Sequence, residues 1–191
     1  MRIITGSARG IALKTLEGEA TRPTAEKVKE AVFSALQFDL EGRRFLDLFA
    51  GSGQMGLEAL SRGASHATFI DASRDAMEVV KANAKKTGFF DRSHFLVSDF
   101  RSYLRKAKGG EAFHVVFIDP PYAERLVGEC VKKLLEADLL SPAALVVTES
   151  EEEDAFASHP EVLDFFEVIK KKKYGRSFIH ILRRKDDGDE A

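Results

Sequence analysis

Residues 45–56 read F-L-D-L-F-A-G-S-G-Q-M-G, an apolar run that leads into three glycines. Gly51, Gly53 and Gly56 satisfy the pattern G-x-G-x-x-G, and residues 54–61 continue with a helical period. A strand that enters a helix through such a loop begins a βαβ unit, in which the glycines allow a tight turn and the close approach of a ligand. The stretch predicts an α/β fold with a ligand site at this loop, although glycines also serve tight turns that bind nothing.

The same alternation of apolar runs and helical stretches continues along the chain. Strands are predicted at 45–50, 67–70, 94–97, 113–118 and 143–148, and helices at 54–61, 73–86, 100–106 and 124–136. This order implies parallel pairing with right-handed crossovers, and hence a doubly wound, Rossmann-like sheet. Two further strand-like runs, 162–173 and 176–184, predict an antiparallel C-terminal hairpin, so that we expect a mostly parallel, seven-stranded sheet.

A different kind of segment precedes this pattern. Residues 2–16 alternate weakly and predict a small hairpin, and an apolar stripe from Ala25 to Leu36 predicts a helix. We therefore expect three regions: a small N-terminal hairpin and helix extension over residues 1–40, the α/β domain over 41–185, and a disordered tail over 186–191.

The composition argues against several classes of protein. The formal net charge is −2 over 191 residues, which does not suit a globally basic nucleic-acid-binding protein but leaves room for a local basic face. The single cysteine, Cys130, forms no internal disulfide, and none of the five histidines is paired at the spacing of a metal site. We therefore expect no metal. Because the start is not signal-like and no apolar run is long enough to span a membrane, we also expect a cytoplasmic protein.

Three aspartates lie at or near the ends of three successive predicted strands. Asp47, Asp71 and Asp99 should lie at one edge of the sheet, where the carboxyl ends of parallel strands meet and ligands bind. S-adenosylmethionine (SAM) fits this set, because Asp47 suits a sulfonium and an ammonium group and Asp71 suits two ribose hydroxyls. Asp99 suits the adenine amine, with Phe100 beside the ring. Each aspartate alone is also a common helix cap, so only the set of three favours the cofactor.

A nicotinamide dinucleotide is the alternative ligand of the glycine loop. The glycine pattern and Asp71, which follows Gly51 by 20 residues, also match the dinucleotide fingerprint. That ligand would place a pyrophosphate at the helix N-terminus, where Asp47 adds a negative charge close by. SAM carries no phosphate, so the position of Asp47 favours SAM.

Residues 115–122 read V-V-F-I-D-P-P-Y and bring a second motif to the end of a predicted strand. Proline has a fixed φ and no N–H for a ladder, so the chain leaves the sheet at Asp119 on a stiff turn. The Asp119 carboxylate and the Pro120 carbonyl would accept both hydrogens of an exocyclic base amine and direct its lone pair at a methyl donor. Tyr122 would stack on a base turned out of its helix. The plainer alternative is a turn followed by a core tyrosine.

These motifs together resemble the amino-directed, SAM-dependent methyltransferases that act on nucleic-acid bases. Five stretches narrow the resemblance to the RsmD family. They are the start M-R-I-I-T-G-S-A-R-G, the helix T-R-P-T-A-E-K-V-K-E-A-V-F, the glycine loop with L-E-A-L-S-R-G-A, the turn F-I-D-P-P-Y and the late K-K-Y-G. Its members are bacterial enzymes that methylate a guanine N2 in 16S rRNA, at position 966. The resemblance runs from Met1 to about Arg184 and implies a class I SAM-dependent methyltransferase fold with the same reaction.

The resemblance also implies roles for individual residues. The catalytic turn would comprise Asp119, Pro120, Pro121 and Tyr122, and the cofactor site would comprise Asp47, Phe49, Gly51, Ser52, Gly53, Asp71, Ala72, Asp99 and Phe100. Arg22, Pro23 and Thr24 would lie near the mouth of the active site. Gln54 and Met55 depart from the commoner spelling of the loop, which we expect to affect only packing under the helix.

Basic residues near both ends of the chain are candidates for RNA contacts. We expect Arg9, Lys173 and Arg176 to hold phosphates rather than to read bases, and residues 1–40 to lie on the RNA side. The net charge of −2 predicts a modest affinity for free RNA, which fits a target presented on a protein–RNA particle. The expected partner is 16S rRNA in the 30S subunit or an assembly intermediate, and the expected state of the protein is a monomer.

Other functions stay open at this point. The D-P-P-Y motif does not distinguish guanine N2 from adenine N6 or cytosine N4, so guanine depends on the family resemblance alone. From other classes, an NAD-dependent oxidoreductase would leave D-P-P-Y and Asp47 unexplained, and an RNA-binding protein without catalysis would tolerate the loss of Asp119 although the whole motif is intact.

Overall fold

The alternation of apolar runs and helical stretches gives a mostly parallel, mixed sheet of seven strands with flanking helices. The computed structural model describes residues 1–16, 23–121 and 125–185. By its internal contacts the chain divides into two compact units, residues 1–100 and 101–191. Within the described residues, no helix is both long enough and apolar enough to span a membrane.

The first unit contains three parallel strands in the order β3-β2-β1. The strands are β1 (Arg44–Asp47), β2 (His66–Asp71) and β3 (Ser93–Val97), and the helices are α1 (Pro23–Ala35), α2 (Gln54–Ser61) and α3 (Arg74–Thr87). α2 connects β1 to β2, and α3 connects β2 to β3, as a βαβ unit requires. Phe69 in β2 is fully buried and stacks on Phe95 of β3, with 5.8 Å between the ring centroids.

The second unit contains four strands in the order β4-β5-β7-β6. The strands are β4 (Phe113–Ile118), β5 (Leu140–Ser150), β6 (Phe166–Tyr174) and β7 (Ser177–Arg184), and the helices are α4 (Phe100–Ala107), whose first residue belongs to the first unit, and α5 (Val127–Glu136). β4 and β5 are parallel, whereas β7 is antiparallel to both β5 and β6. The last two strands thus form the hairpin that the sequence predicts, and the predicted fold class is confirmed.

The N-terminal segment, residues 1–16, pairs its two ends in antiparallel fashion, as a small hairpin does, without regular strands. One antiparallel bridge pairs Arg2 with Ala12, and backbone hydrogen bonds flank it from Ile3 N to Ile11 O (3.0 Å), from Gly10 N to Ile3 O (2.9 Å) and from Leu13 N to Met1 O (3.0 Å). Gly6 and Gly10 have φ values of 88° and 85°, which turn the backbone between the bridged residues. The predicted functional division between residues 1–40 and 41–185 is a separate matter and stays a prediction.

A buried carboxylate fastens this N-terminal segment to α2. Glu58 is fully buried, and its two oxygens accept from Ile4 N (2.8 Å) and Thr5 N (3.0 Å). Arg62 Nε also donates to Glu58 (2.9 Å), and the buried Lys29 Nζ lies 3.7 Å from it. Because a buried charge without partners is strongly destabilising, these donors explain why an acid is tolerated on the apolar helix.

The C-terminal end of α2 makes a second set of contacts with the N-terminal segment. Ser61 O accepts from Ser7 N (2.8 Å), and Ser61 Oγ accepts from Ala8 N (3.0 Å) and donates to Thr5 O (2.6 Å). A Cβ atom on Gly6 would lie only 1.8 Å from Ser61 O. Glycine is therefore required there by close backbone approach as well as by its positive φ.

Candidate active site

The glycine loop, residues 48–53, leaves the end of β1 and is tied to β2. Ala50 N donates to Ile70 O (2.8 Å), and Gly53 N donates to Ala50 O (2.7 Å). Gly53 has a left-handed φ of 77° and directly precedes α2. The loop is thus a closed turn that presents its backbone before the first turn of a helix.

Two of the glycines are also required by close packing. A Cβ atom on Gly56 would lie 2.3 Å from Phe69 Cε1, and one on Gly53 would lie 2.9 Å from Val80 Cγ1. The first turn of α2 therefore packs directly against β2. The pattern of glycines serves helix–strand packing as well as the loop, so its presence alone does not identify a ligand.

Asp47, the last residue of β1, is almost fully buried, with 1% of its surface exposed. Its Oδ2 accepts from Gly56 N (3.1 Å) in the first turn of α2. Burial raises the pKa of Asp47 to about 7, and the hydrogen bond from Gly56 opposes this rise while the charge of Asp71 adds to it. A cation bound beside Asp47 would favour its ionised form.

The N-terminus of α2 therefore already has a resident acidic group. Its amides and macrodipole would otherwise attract a phosphate, as in dinucleotide-binding folds. Because the Asp47 carboxyl group is hydrogen-bonded to Gly56, a pyrophosphate at this position would meet like charge whenever Asp47 is ionised. The arrangement favours a cationic ligand over a phosphate-containing one.

Asp71, the last residue of β2, closes the loop from the other side. Its Oδ2 accepts from Gly51 N (2.9 Å), and its Oδ1 accepts from Ser73 N (2.8 Å). Asp71 is half-buried and the neighbouring Ala72 is exposed. Because each carboxylate oxygen has further acceptor capacity, Asp71 is suited to bind the hydroxyls of a ribose.

Two phenylalanines form an apolar pair in the same unit. The ring centroids of Phe49 and Phe100 are 5.5 Å apart, with 49° between the ring planes. Phe100 is buried and is the first residue of α4, and the exposed Asp99 directly precedes it. The roles of Asp99 and Phe100 at an adenine stay predictions.

Asn83 was missed as a site residue by the sequence reasoning. It is fully buried in α3, and its Nδ2 donates to the carbonyl oxygens of Ser52 in the glycine loop (2.9 Å) and Lys14 (3.0 Å). The available signal was a polar residue on the apolar face of the helix, between Val80 and Ala84. That signal suggests a buried hydrogen bond but does not identify the partner.

The D-P-P-Y motif begins in the second unit, at the end of β4. Residues Val115–Ile118 are buried, Asp119 is half-buried, Pro120 is buried and Pro121 is exposed. Tyr122 lies outside the described residues. Two successive prolines have fixed φ angles and offer no N–H, so the backbone is stiff at Pro120 and Pro121, and Asp119 is restricted because it precedes a proline. The catalytic roles of the four residues stay predictions.

The predicted phosphate contacts are exposed. Arg9 lies in the N-terminal segment, Lys173 lies in β6, and Arg176 lies in the turn before β7. Arg176 forms an ion pair with Glu151 (3.4 Å), and Lys173 Nζ lies 4.9 Å from the ring centroid of Phe178. Exposed pairs of this kind are weak, so both side chains are available to an RNA phosphate.

The sequence T-R-P-T is described only from Pro23 onward. α1 begins at Pro23, and Thr24 follows it. The fixed φ and missing N–H of proline suit the first position of a helix. Arg22 lies outside the described residues, so the predicted place of these three residues at the mouth of the site stays a prediction.

The donor set of the first unit fits SAM. It offers a buried carboxyl group for a cation, a half-buried carboxylate for hydroxyls, an apolar pair for a flat ring, and a glycine backbone that side chains would obstruct. Within the described residues, no group of three or more metal-binding side chains is present.

Comparisons with known proteins agree with this chemistry. The family described as Conserved hypothetical protein 95 matches residues 1–183. Ribosomal RNA small subunit methyltransferase D of Escherichia coli (strain K12) is 32% identical over 191 residues, which cover 99% of this chain and 92% of the relative. A second relative, YlbH of Bacillus subtilis (strain 168), is named as a putative rRNA methyltransferase. It is 35% identical over 186 residues, which cover 97% of this chain and 100% of the relative. The solved structure of yhhF from Escherichia coli, whose name proposes a methyltransferase, has a TM-score of 0.83 at 32% identity, with 97% and 98% of the two chains covered.

Proposed function

The chain belongs to the RsmD family, and we propose on that basis that it transfers a methyl group from SAM to N2 of a guanine in 16S rRNA. The observation that carries the proposal is the family match over residues 1–183. The matched range includes both the glycine loop and the D-P-P-Y motif, and a relative matched over nearly its full length is named for small-subunit rRNA methylation. We place the protein in the cytoplasm as a monomer, with the 30S subunit or an assembly intermediate as substrate.

SAM, when bound, supplies a methyl group on a positively charged sulfur, and the first unit supplies the groups that hold it. Asp47 offers the negative charge that complements the sulfonium or the ammonium group, in a buried setting where such a charge acts strongly. Asp71 accepts from the ribose hydroxyls, while Asp99 and the two phenylalanines hold the adenine. The main chain at Gly51 and Gly53 allows close approach of the amino-acid part.

The D-P-P-Y motif supplies the acceptor side of the reaction. An exocyclic amine is a poor nucleophile because its lone pair is delocalised into the base. The Asp119 carboxylate and the Pro120 carbonyl accept its two hydrogens, which favours a pyramidal nitrogen with a localised lone pair. Asp119 then takes up the proton that the nitrogen loses, or passes it to water. Because the prolines hold these acceptors in place beforehand, little reorganisation is needed during the reaction.

Tyr122 and the basic residues position the RNA. The target base must leave its helix to reach such a motif, and Tyr122 stacks on it. Arg9, Lys173 and Arg176 contact phosphates, together with Arg22, Pro23 and Thr24 near the mouth. These contacts set position rather than sequence, so selection of the guanine comes from the shape of the particle.

The proposal is tested with methyl-labelled SAM and 30S subunits or assembly intermediates from a strain that lacks this gene. We expect label in 16S rRNA, recovered as N2-methylguanine after digestion to nucleosides. The same digest separates N2-methylguanine from N6-methyladenine and N4-methylcytosine, so it also tests the two alternative bases. Mapping the modified nucleotide tests the position that the family implies.

The controls separate chemistry from folding and binding. Asp119→Ala should abolish incorporation while S-adenosylhomocysteine (SAH) still binds, because Asp119 belongs to the acceptor side. Label found only on small molecules, or binding of NADH without binding of SAM, would overturn the proposal.

A further inference from the structure

The N-terminal segment has the charge of an RNA-binding element. Residues 1–16 contain three cationic side chains, Arg2, Arg9 and Lys14, and no acid. All three residues are exposed, whereas Ile3 and Leu13 are buried beneath them. A rigid backbone with outward cations suits contact with phosphates. This reading rests on the proposed function, which supplies the RNA.

One buried side chain joins this segment to the glycine loop. Asn83 Oδ1 accepts from Lys14 N (2.8 Å), and Asn83 Nδ2 donates to Lys14 O (3.0 Å). The amide thus pairs with Lys14 as a neighbouring strand would. Its second Nδ2 hydrogen goes to Ser52 O (2.9 Å), so both donors of the amide are used.

The other end of the segment meets the same loop residue. Ser52 Oγ donates to Met1 Sδ (3.5 Å), and Ser52 has only 3% of its surface exposed. Ser52 lies between Gly51 and Gly53 in the loop predicted to receive the amino-acid part of SAM. Met1 therefore contacts Ser52 directly, and Lys14 is connected to Ser52 through Asn83.

We propose that Asn83 is a positioning residue that couples occupancy of the glycine loop to RNA binding by the N-terminal segment. A ligand that restrains the Ser52 carbonyl restrains the Asn83 amide, and a restrained amide holds Lys14. All three hydrogen bonds are at least partly buried, so water does not readily replace one that is lost. By linkage the coupling is reciprocal: cofactor strengthens RNA binding by the same factor as RNA strengthens cofactor binding.

The anchors of the segment on α2 lack this connection. Glu58 and Ser61 hold residues Ile4 to Ala8 through α2, and among the described residues none of their hydrogen bonds reaches the glycine loop. They fix the segment without sensing the ligand. Ser61→Ala is therefore a matched control, because it removes one buried and one partly buried hydrogen bond to the segment and leaves the Asn83 contacts in place.

The first test needs no RNA and follows amide hydrogen exchange of the full chain with and without SAH. In the wild type, SAH should slow exchange over residues 11–15 by roughly tenfold, the scale of ordinary coupling between sites. In Asn83→Ala, SAH should still slow exchange in the glycine loop but leave residues 11–15 unchanged. In Ser61→Ala, the response of residues 11–15 to SAH should persist.

The second test measures binding of unmodified 30S particles with and without SAH. We expect SAH to tighten binding of the wild type and of Ser61→Ala by roughly tenfold, and that of Asn83→Ala by less than about twofold. A merely structural role for Asn83 would weaken both binding events and leave their ratio unchanged. If Asn83→Ala does not fold, Asn83→Asp replaces it, since it keeps the size and the acceptor and loses both donors.

The wild type alone decides the matter if both variants fail. Protection of the glycine loop by SAH with no change at residues 11–15 would overturn the coupling, while methylation of rRNA would still stand. Conversely, absence of methyl transfer to rRNA would overturn the proposed function, and the exchange experiment would still report whether the loop and the segment are linked.

Discussion

The glycine loop of the first unit and the D-P-P-Y turn of the second unit follow parallel strands but are held by different means. Side-chain hydrogen bonds from Asp47, Asp71 and Asn83 hold the loop and the start of α2. Two proline rings, one buried and one exposed, stiffen the turn. Side-chain hydrogen bonds to titratable groups respond to charge, pH and ligand, whereas the φ angles that proline rings fix respond to none of them.

This difference matches the two proposed tasks. A cofactor is exchanged in every catalytic cycle, so its site gains from groups whose charge and position depend on the ligand. The acceptors of an amine must be in place before the methyl group moves, because ordering them during the reaction would add to the barrier. The contrast predicts that changes at the turn affect the chemical step and changes at the loop affect binding and stability.

The largest expected effect is at the D-P-P-Y turn. If this effect were not observed, the contrast between the loop and the turn would be wrong. Asp119→Ala should lower kcat by roughly a thousandfold or more, because it removes an acceptor of the amine and the group that takes up its proton. Single-turnover methylation of 30S particles measures the effect, and calorimetric titration with SAH should give a Kd within about twofold of the wild type. Asp164→Ala, a change at an exposed aspartate of the same unit, serves as the control. A large loss of SAH binding in Asp119→Ala would place Asp119 in the cofactor site instead.

The next effect lies under the loop and concerns stability. Gly56→Ala would bring a Cβ atom to 2.3 Å from Phe69 Cε1, so α2 must shift away from β2. We expect the free energy of unfolding in urea to fall by about 1–3 kcal/mol, as for overpacked cores, and SAM binding to weaken with it.

Two variants sharpen this test. Phe69→Leu in the Gly56→Ala background shortens the side chain that the new methyl group meets, so it should restore part of the lost stability. Gly88→Ala, at a left-handed C-cap of α3 with open space around it, should lower stability by only about 1 kcal/mol through its φ of 77°. Equal losses in Gly56→Ala and Gly88→Ala would contradict the packing argument.

The third effect is the pH dependence of SAM binding, which depends on the glycine loop and not on the turn. The pKa of Asp47 is raised to about 7 by burial, and a cationic ligand requires its ionised form. The affinity for SAM should therefore fall by up to roughly tenfold for each pH unit below 7. Titration calorimetry with SAM over a range of about pH 5.5 to 8.5, which brackets the pKa, measures how the affinity changes with pH. In Asp47→Asn the affinity should be low and independent of pH, and a wild-type profile that is equally flat would contradict the assignment.

The same group gives a signed prediction for stability. Because the folded-state pKa of Asp47 is raised from 3.8, its contribution to stability is complete below about pH 4 and is lost as the pH rises through about 7. The loss is of order 4 kcal/mol at most, from about three pKa units. Urea unfolding of the wild type and of Asp47→Asn at both ends of this range should show the smaller pH dependence in the variant.

Local patterns account for the elements that the sequence predicts well. α2 has its predicted bounds, 54–61, because a glycine loop and an apolar period both act within a few residues. β4 also has its predicted bounds, 113–118, because a buried apolar run ends at a proline pair that no central strand tolerates.

Long-range partners account for what was missed. Asn83 pairs with a residue 69 positions away, and Glu58 accepts from an amide 54 positions away, so no local pattern reveals either bond. The predicted N-terminal hairpin pairs its ends locally, but its place against α2, where Gly6 fits against the Ser61 carbonyl, is a contact that only the folded chain creates. Polar residues on apolar helix faces give the hint, and tertiary structure supplies the partner.

The smallest expected effect tests the stiffness of the turn itself. Pro121 is exposed, so replacing it with alanine removes no buried contact and acts through backbone freedom. Pro121→Ala should lower kcat by roughly two- to fivefold, corresponding to about 0.4–1 kcal/mol, and leave the KM for SAM unchanged. Pro160→Ala changes another exposed proline of the same unit, at the start of the 3₁₀ helix Pro160–Phe165, and should affect stability without affecting kcat. If the KM for SAM rose in Pro121→Ala while kcat stayed constant, the turn would act on the cofactor. The assignment of cofactor binding to the glycine loop and of the chemical step to the rigid turn would then be wrong.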